Sequence, residues 1–219
     1  MAKLDLSLPG DRLKVVDAAF IYPMEAHRRK HGPVGYTNYE SYREWLRDEF
    51  SYRCVFSLIR ETWVGRVAAF DIDHLQPQSG HGHLVCDYDN LLYLSHRINL
   101  RKGKRPLPDP GKLALGKCLR VEPKGDRIGQ ITATNKDGQM IVDTLKLNNA
   151  DEVEDRRKWL EVLRAVAVTD EGRFRKLLGF PSDLTDLSRR SRERNKRSDG
   201  ISQSAYHLRE VARKLPEWY

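Results

Sequence analysis

Cysteine is scarce in this chain. There are three, Cys54, Cys86 and Cys118, widely spaced and without a C-x-x-C pair. Neither a disulfide framework nor a zinc knuckle can be the organising device, and a reducing cytoplasm is the expected compartment. No apolar run reaches the length of a membrane span, so no membrane partner is expected. The opening Met1-Ala-Lys-Leu-Asp-Leu6 has no apolar stretch of the kind that begins a signal peptide. There is no G-x-x-x-x-G-K-[ST] loop, so energy-driven translocation would need a separate ATPase subunit. No internal repeat is visible.

Charge is plentiful. The 219 residues carry 39 Lys and Arg against 31 Asp and Glu, a formal net charge of +8. Hydrophobic residues make up 39% and charged residues 32%, polar for a globular protein but not the composition of a disordered one. The length suits one medium domain, or a compact core with appendages. A cationic excess points to a polyanionic partner, nucleic acid first among them.

The pattern divides the chain into four regions: a helical one over 1–50, a core over 51–110, a hairpin over 111–150 and a helical, basic one over 151–219. Leu13, Val16 and Phe20 have helical spacing, and Pro23 ends or kinks that helix. Tyr42, Trp45, Leu46 and Phe50 share one face of a second helix. Trp63–Ile72 is rich in β-favouring residues around Gly65 and suggests a hairpin. Tyr88–Lys104 reads as a short approach and a helix capped by Asp89 or Ser95, ended by Pro106, Pro108 and Pro110. Ile128–Ala133 and Met140–Leu147 alternate around Asn135-Lys-Asp-Gly138, which predicts a β-hairpin. Helices are expected over Asp151–Val168 and Ser204–Leu215.

The chemistry concentrates in Asp71-Ile-Asp73-His74-Leu-Gln-Pro77-Gln, in Asn90, and in Asn99-Leu-Arg101-Lys102-Gly103-Lys104. An ionised carboxylate such as Asp73 is a good ligand for Mg²⁺ or Mn²⁺, which take oxygen donors. Imidazole titrates near neutrality, so His74 can accept a proton from water. Its tautomer needs a partner on the other ring nitrogen, either a backbone carbonyl or the Asn90 amide. Neighbours in a strand point to opposite faces, so Asp73 and His74 can serve one phosphate only if the strand bends or the phosphate is wedged between them. Asn99 is a neutral oxygen ligand. His96, three residues before it, shares its helix face and could approach the site. Arg101, Lys102 and Lys104 would meet the incoming phosphate.

These residues resemble the HNH endonuclease family, whose pattern is D-H-x-x-P, then D/E-N-L, then N-x-(x)-K-G. Asp73-His74-Leu-Gln-Pro77, Asp89-Asn90-Leu91 and Asn99-Leu-Arg-Lys102-Gly103 match it over roughly residues 50–108. The segment Asp71-Ile-Asp73-His74-Leu-Gln-Pro77-Gln-Ser79 is especially similar to the HNH domain of RNA-guided CRISPR effector nucleases. The resemblance implies an α+β fold built on a ββα-metal (HNH, or His-Me finger) core, with flanking helices and the added β-hairpin. It also implies divalent-metal-dependent hydrolysis of DNA, leaving 5′-phosphate and 3′-hydroxyl ends. His74 would be the general base, Asp73 and Asn99 the ligands of one cation, and Asn90 the residue that orients His74. Mg²⁺ is the expected cation, with Mn²⁺ an alternative. Many family members hold a structural zinc on two C-x-x-C pairs. Here Cys54-Val-Phe-Ser57 keeps one cysteine and Ser95-His-Arg-Ile98 none, so no structural zinc is expected, and Phe56, Leu94 and Ile98 would have to hold those elements by packing. Work in phage defence or restriction goes with the resemblance. The rival functions are a non-catalytic nucleic-acid-binding subunit with the same fold, and an RNase or nicking toxin.

Plainer readings stand beside the sharper ones. Asp71 can be a strand residue satisfying a local amide, or it can support the metal site. His96 can be a solvent-facing helix residue bonded to a neighbour, and His81 and His83 residues of an exposed turn. Trp45, Trp63 and Trp159 fit a core better than a base-stacking surface, and Cys86 and Cys118 fit as small buried fillers. The basic run Ser188–Arg197, with Arg189, Arg190, Arg192 and Arg194, is either a solvated linker or a DNA contact.

Overall fold

The computed structural model describes residues 4–27, 29, 31–190, 197 and 200–215. Among them the elements run α1 (Pro9–Ala19), α2 (Arg43–Glu49), β1 (Phe70–His74), β2 (Leu91–Ser95), α3 (His96–Lys102), β3 (Leu119–Val121), β4 (Ile131–Ala133), α4 (Lys136–Leu145), α5 (Ala150–Thr169) and α6 (Glu171–Leu178). Helices are combined with two antiparallel pairs, β1–β2 and β3–β4, an α+β arrangement. The chain divides into two compact units, each built from separated stretches. One holds residues 26–113 and 181–215, the other residues 4–25 and 114–180. The helical region expected over 1–50 is thus divided between them, as is the region 151–219. Among the described residues no helix is long and apolar enough to cross a membrane.

In the first unit, β1 alternates. Phe70, Ile72 and His74 are buried, while Asp71 and Asp73 are half-buried on the opposite face. β2 is the run Leu91-Leu-Tyr-Leu94, buried throughout, and it pairs with β1 from Phe70↔Ser95 to His74↔Leu91. α3 follows without a linker and packs on both strands. Gly103, at φ 53° and ψ −129°, ends it in a backbone state that suits glycine. Behind the sheet, Phe70 stacks on Tyr93 with ring centroids 4.9 Å apart. The Tyr93 hydroxyl donates to Glu61 at 2.6 Å, and Arg47 pairs with the same carboxylate at 2.8 Å. Trp45 and Trp63 are buried here. Cys54, Phe56, Leu94 and Ile98 are fully enclosed, so the elements around the motif are held by apolar packing.

Two expectations are corrected in this unit. Trp63–Ile72 is not a hairpin: 3-10 turns at Glu61–Trp63 and Arg66–Ala69 precede β1. Gly65, at φ 97°, opens the second turn and interrupts the extended run. The partner strand comes from β2, twenty residues further on. The expected last helix is present in shortened form: Ala205 and Tyr206 are α-helical and continue into a π-helical turn, His207–Val211.

The second unit packs α5 against α1 and α6, with β3–β4 and α4 beside them. A hairpin is present, but its partner strands are β3 and β4, paired from Leu119↔Ala133 to Val121↔Ile131. Residues 140–145 are helical, which corrects the predicted second strand. The cause is local. Asn135 accepts a hydrogen bond from the Gly138 N–H, capping a helix where a turn was expected, and Ile141, Val142 and Leu145 then line one buried face. A Cβ on Gly138 would lie 2.2 Å from the Cys118 carbonyl oxygen, so only glycine fits at this first helical turn. The edge of β4 is paired by a side chain. Asn148 both donates to and accepts from the Ile131 backbone at 2.8 Å, as a neighbouring strand would. Cys118 is buried and Cys86 only half-buried, so the filler reading holds for one of the two.

Candidate functional site

A cleft of about 340 Å³ opens at the end of β1. It is lined by Asp73 and His74, by Pro77, Gln78 and Ser79 of the loop that follows, and by Gly103 and Lys104 just after α3. Asp73 and His74 alternate along β1, and the cleft lies at the strand's end, where both come to its wall.

His74 is 6% exposed and fixed on three sides. Its Nε2 lies 3.0 Å from the Val85 carbonyl oxygen. A carbonyl only accepts, so Nε2 carries the proton and Nδ1 presents a lone pair. That lone pair lies 3.2 Å from the Gln78 side-chain amide nitrogen, which donates to it. The Tyr39 ring meets the imidazole edge-on, with centroids 4.9 Å apart and planes at 78°. The tautomer is therefore set by a backbone carbonyl, and the ring nitrogen left as an acceptor is Nδ1.

Asn90 does not supply that bond, contrary to the role the resemblance implies for it. Its Oδ1 accepts from the Gln76 N–H at 2.8 Å, and its Nδ2 donates to the Gln76 and Leu84 carbonyls, each at 3.2 Å. Its own carbonyl accepts from the Leu75 N–H at 2.8 Å. Asn90 ties the exit of β1 to the residue next to Val85, so it acts on His74 through the loop that carries the acceptor.

Asp73 meets Lys102. The ammonium lies 2.8 Å from Asp73 Oδ2 and donates to the His74 carbonyl at 2.7 Å, with a side chain only 1% exposed. This corrects the expectation that Lys102 reaches for phosphate. Lys102 is three residues beyond Asn99 and so shares the helix face turned to β1, where a point charge with three donors can bridge two acceptors. Burial pushes the Asp73 carboxyl up, against the opposing pull of Lys102.

Asn99 is brought to Asp71, two residues before the carboxylate expected for it. Asp71 Oδ2 accepts from Asn99 Nδ2 at 2.8 Å and from His96 Nδ1 at 2.8 Å. Asp71 and Asp73 stand on one face of β1, so the two carboxylates form a row, one serving α3 side chains and the other the cleft. Asp71 satisfies a local amide, and His96, 61% exposed, is a helix residue bonded to a neighbour. Lys104 is exposed at the cleft rim, and Arg101 is half-buried.

The basic run is described only in part. Arg189 is exposed and pairs with Asp186 at 3.0 Å, and the Arg190 carbonyl accepts from the Tyr36 hydroxyl at 3.1 Å. Arg192 and Arg194 lie outside the described residues. Arg197 turns inward, donating to Asp89 and to the Arg29 carbonyl, each at 2.7 Å, with its guanidinium 5.2 Å from the Tyr88 ring centre.

Three residues at His74 escaped the motif reading. The Val85 carbonyl and Tyr39 leave no trace in composition or periodicity. Gln78 stood inside the matched segment, but its contact with the base needs the turn that His81 closes, whose N–H bonds the Gln78 carbonyl at 3.2 Å.

Among the described residues no group of three or more His, Cys, Asp and Glu side chains converges on a cation position. Mg²⁺ does not demand one. It keeps several waters and is bound by one or two carboxylates together with substrate phosphates. Asp73 suits that mode, because Lys102 is paired with its Oδ2 and the residue lines the cleft. Asn99 commits its amide nitrogen to Asp71 and keeps Oδ1 as an acceptor.

No protein-family model and no curated protein matches the chain.

Proposed function

We propose that this protein is a divalent-metal-dependent endonuclease of the HNH type, acting on DNA, with β1, β2 and α3 as its ββα-metal core. The observation that carries the reading is the state of His74. Its Nε2 proton is held by the Val85 carbonyl, its Nδ1 accepts from the Gln78 amide, and the residue lines a cleft shared with Asp73 and Lys104. The net charge of +8 supports a polyanionic substrate.

A cation held by Asp73 in the cleft, when bound, would supply Lewis-acid stabilisation of charge developing on the phosphoryl group. His74 Nδ1 accepts a proton from the attacking water, and the Val85 carbonyl keeps the ring from rotating as it becomes imidazolium. Lys102 holds the Asp73 carboxylate in place. Lys104 at the rim offers an ammonium to a phosphate oxygen. A place in phage defence or restriction, or beside a separate ATPase or recognition subunit, goes with the family resemblance and rests on that alone.

The test is incubation of the pure protein with supercoiled plasmid, linear DNA and RNA, in Mg²⁺, Mn²⁺ or EDTA. Metal-dependent conversion of plasmid to relaxed or linear forms is expected, abolished in His74→Ala while DNA binding persists. Cleavage of RNA alone would move the protein to the ribonuclease class. DNA binding without cleavage in any metal would make it a non-catalytic binding subunit.

A further inference from the structure

The nitrogen that must take the proton is already occupied. His74 Nδ1 accepts from the Gln78 amide at 3.2 Å, and Nε2 is committed to the Val85 carbonyl at 3.0 Å. A water placed to attack a phosphate in this cleft would need the same Nδ1 lone pair, and a ring nitrogen has only one. Gln78 therefore stands where the nucleophile must bind. It is an exposed residue on the cleft wall, next to Ser79 and on the same surface as Lys104. Its backbone is held by the turn that His81 closes: the His81 N–H bonds the Gln78 carbonyl, and the His81 ring lies 3.2 Å from the Pro77 carbonyl oxygen. From that fixed backbone the side chain reaches His74, with no buried packing to hold it.

We infer that Gln78 caps the base nitrogen of His74 in the substrate-free protein and transfers its amide to a substrate phosphate oxygen, which uncaps the base. This rests on the nuclease reading for the identity of the ligand, though the cap itself does not. The exchange runs in the required direction. An amide donating to a neutral imidazole makes an ordinary hydrogen bond, whereas one donating to an anionic phosphate oxygen makes a charge-assisted one, shorter and about twice as strong. Lys104 on the same wall would draw the phosphate towards Gln78. Gln78 is thus a substrate-contacting residue and also a guard, leaving the base unpaired only when a phosphodiester is in the cleft.

The cap is read by ¹⁵N NMR of the His74 ring in substrate-free protein. Gln78→Met keeps the bulk and removes the donor, and Gln78→Ala removes both. Because the residue is exposed, neither variant disturbs the core. In both, the Nδ1 resonance should move downfield, towards that of an imidazole nitrogen accepting no strong hydrogen bond. An unmoved resonance overturns the cap. The transfer is read by fluorescence anisotropy with a short DNA duplex in Ca²⁺. Gln78→Met should bind about three- to tenfold more weakly, because the wild-type amide gains a phosphate bond about twice as strong as the His74 bond it gives up. Unchanged affinity overturns the transfer. If the wild-type protein binds no DNA, the transfer and the nuclease reading fall together, while the NMR shift decides the cap independently.

Discussion

Two of the buried cations, Arg156 in one unit and Lys102 in the other, are used differently. In the unit of residues 4–25 and 114–180, Arg156 has no exposed surface. It donates to the Gly129 carbonyl at 2.6 Å and to the Leu147 carbonyl, and it lies 3.7 Å from Glu152. Those partners are connecting segments, and the guanidinium fork pins them to α5. In the other unit Lys102 is as deeply buried, but its partners are the Asp73 carboxylate and the His74 carbonyl, two groups at the cleft. One cation organises only structure. The other sets the geometry of the residues to which we assign the chemistry. Burial alone does not separate them. The identity of the acceptors does.

The largest effect should come from His74→Ala, which removes the base and is expected to lower kcat by about 10²–10⁴-fold with little loss of DNA affinity, checked by plasmid cleavage and anisotropy. Retained cleavage would end the assignment and leave the comparison without a catalytic side. Lys102→Met and Arg156→Met should then diverge. Each strands groups around a buried cation and is expected to destabilise by about 3–5 kcal/mol, measured by urea unfolding. Only Lys102→Met should also reduce metal-dependent turnover under conditions where the variant remains folded. Equal turnover in the two folded variants would erase the distinction.

A pH effect sharpens the contrast further. Burial would raise the Glu49 carboxyl, but the His27 hydrogen bond, the charges of His31 and His27 and the His31 N–H overcome it and hold the group at about 2, below its ordinary 4.5. A carboxyl depressed on folding contributes stability that is complete above the unfolded value and is lost as pH falls through the folded one. The melting temperature should therefore fall between about pH 4.5 and pH 2, and Glu49→Gln should flatten that dependence. The smallest effect is expected from Lys104→Ala. It should weaken DNA binding modestly and reduce the salt slope by about one charge, without changing stability.

The site was legible where chemistry follows chain order. An extended segment at Asp73-His74 and the helix after Ser95 could be read from the residues, as could the apolar packing of Phe56, Leu94 and Ile98. What escaped depends on where a side chain's second partner lies. Asn99 has two carboxylates on one strand face within reach, and spacing cannot choose Asp71 over Asp73. Lys102 reads as a surface cation until α3 is laid against β1. Asn135-Lys-Asp-Gly138 carries the residues of a hairpin turn and of a helix cap alike. The choice was made by Gly138 fitting against the Cys118 carbonyl, a contact across the fold.

The most direct test of the central claim is a crystal grown with Mn²⁺ and scanned for anomalous scattering. One peak is expected, bonded to Asp73 in the cleft it shares with His74. A saturating Mn²⁺ concentration that leaves this cleft without a peak would contradict it.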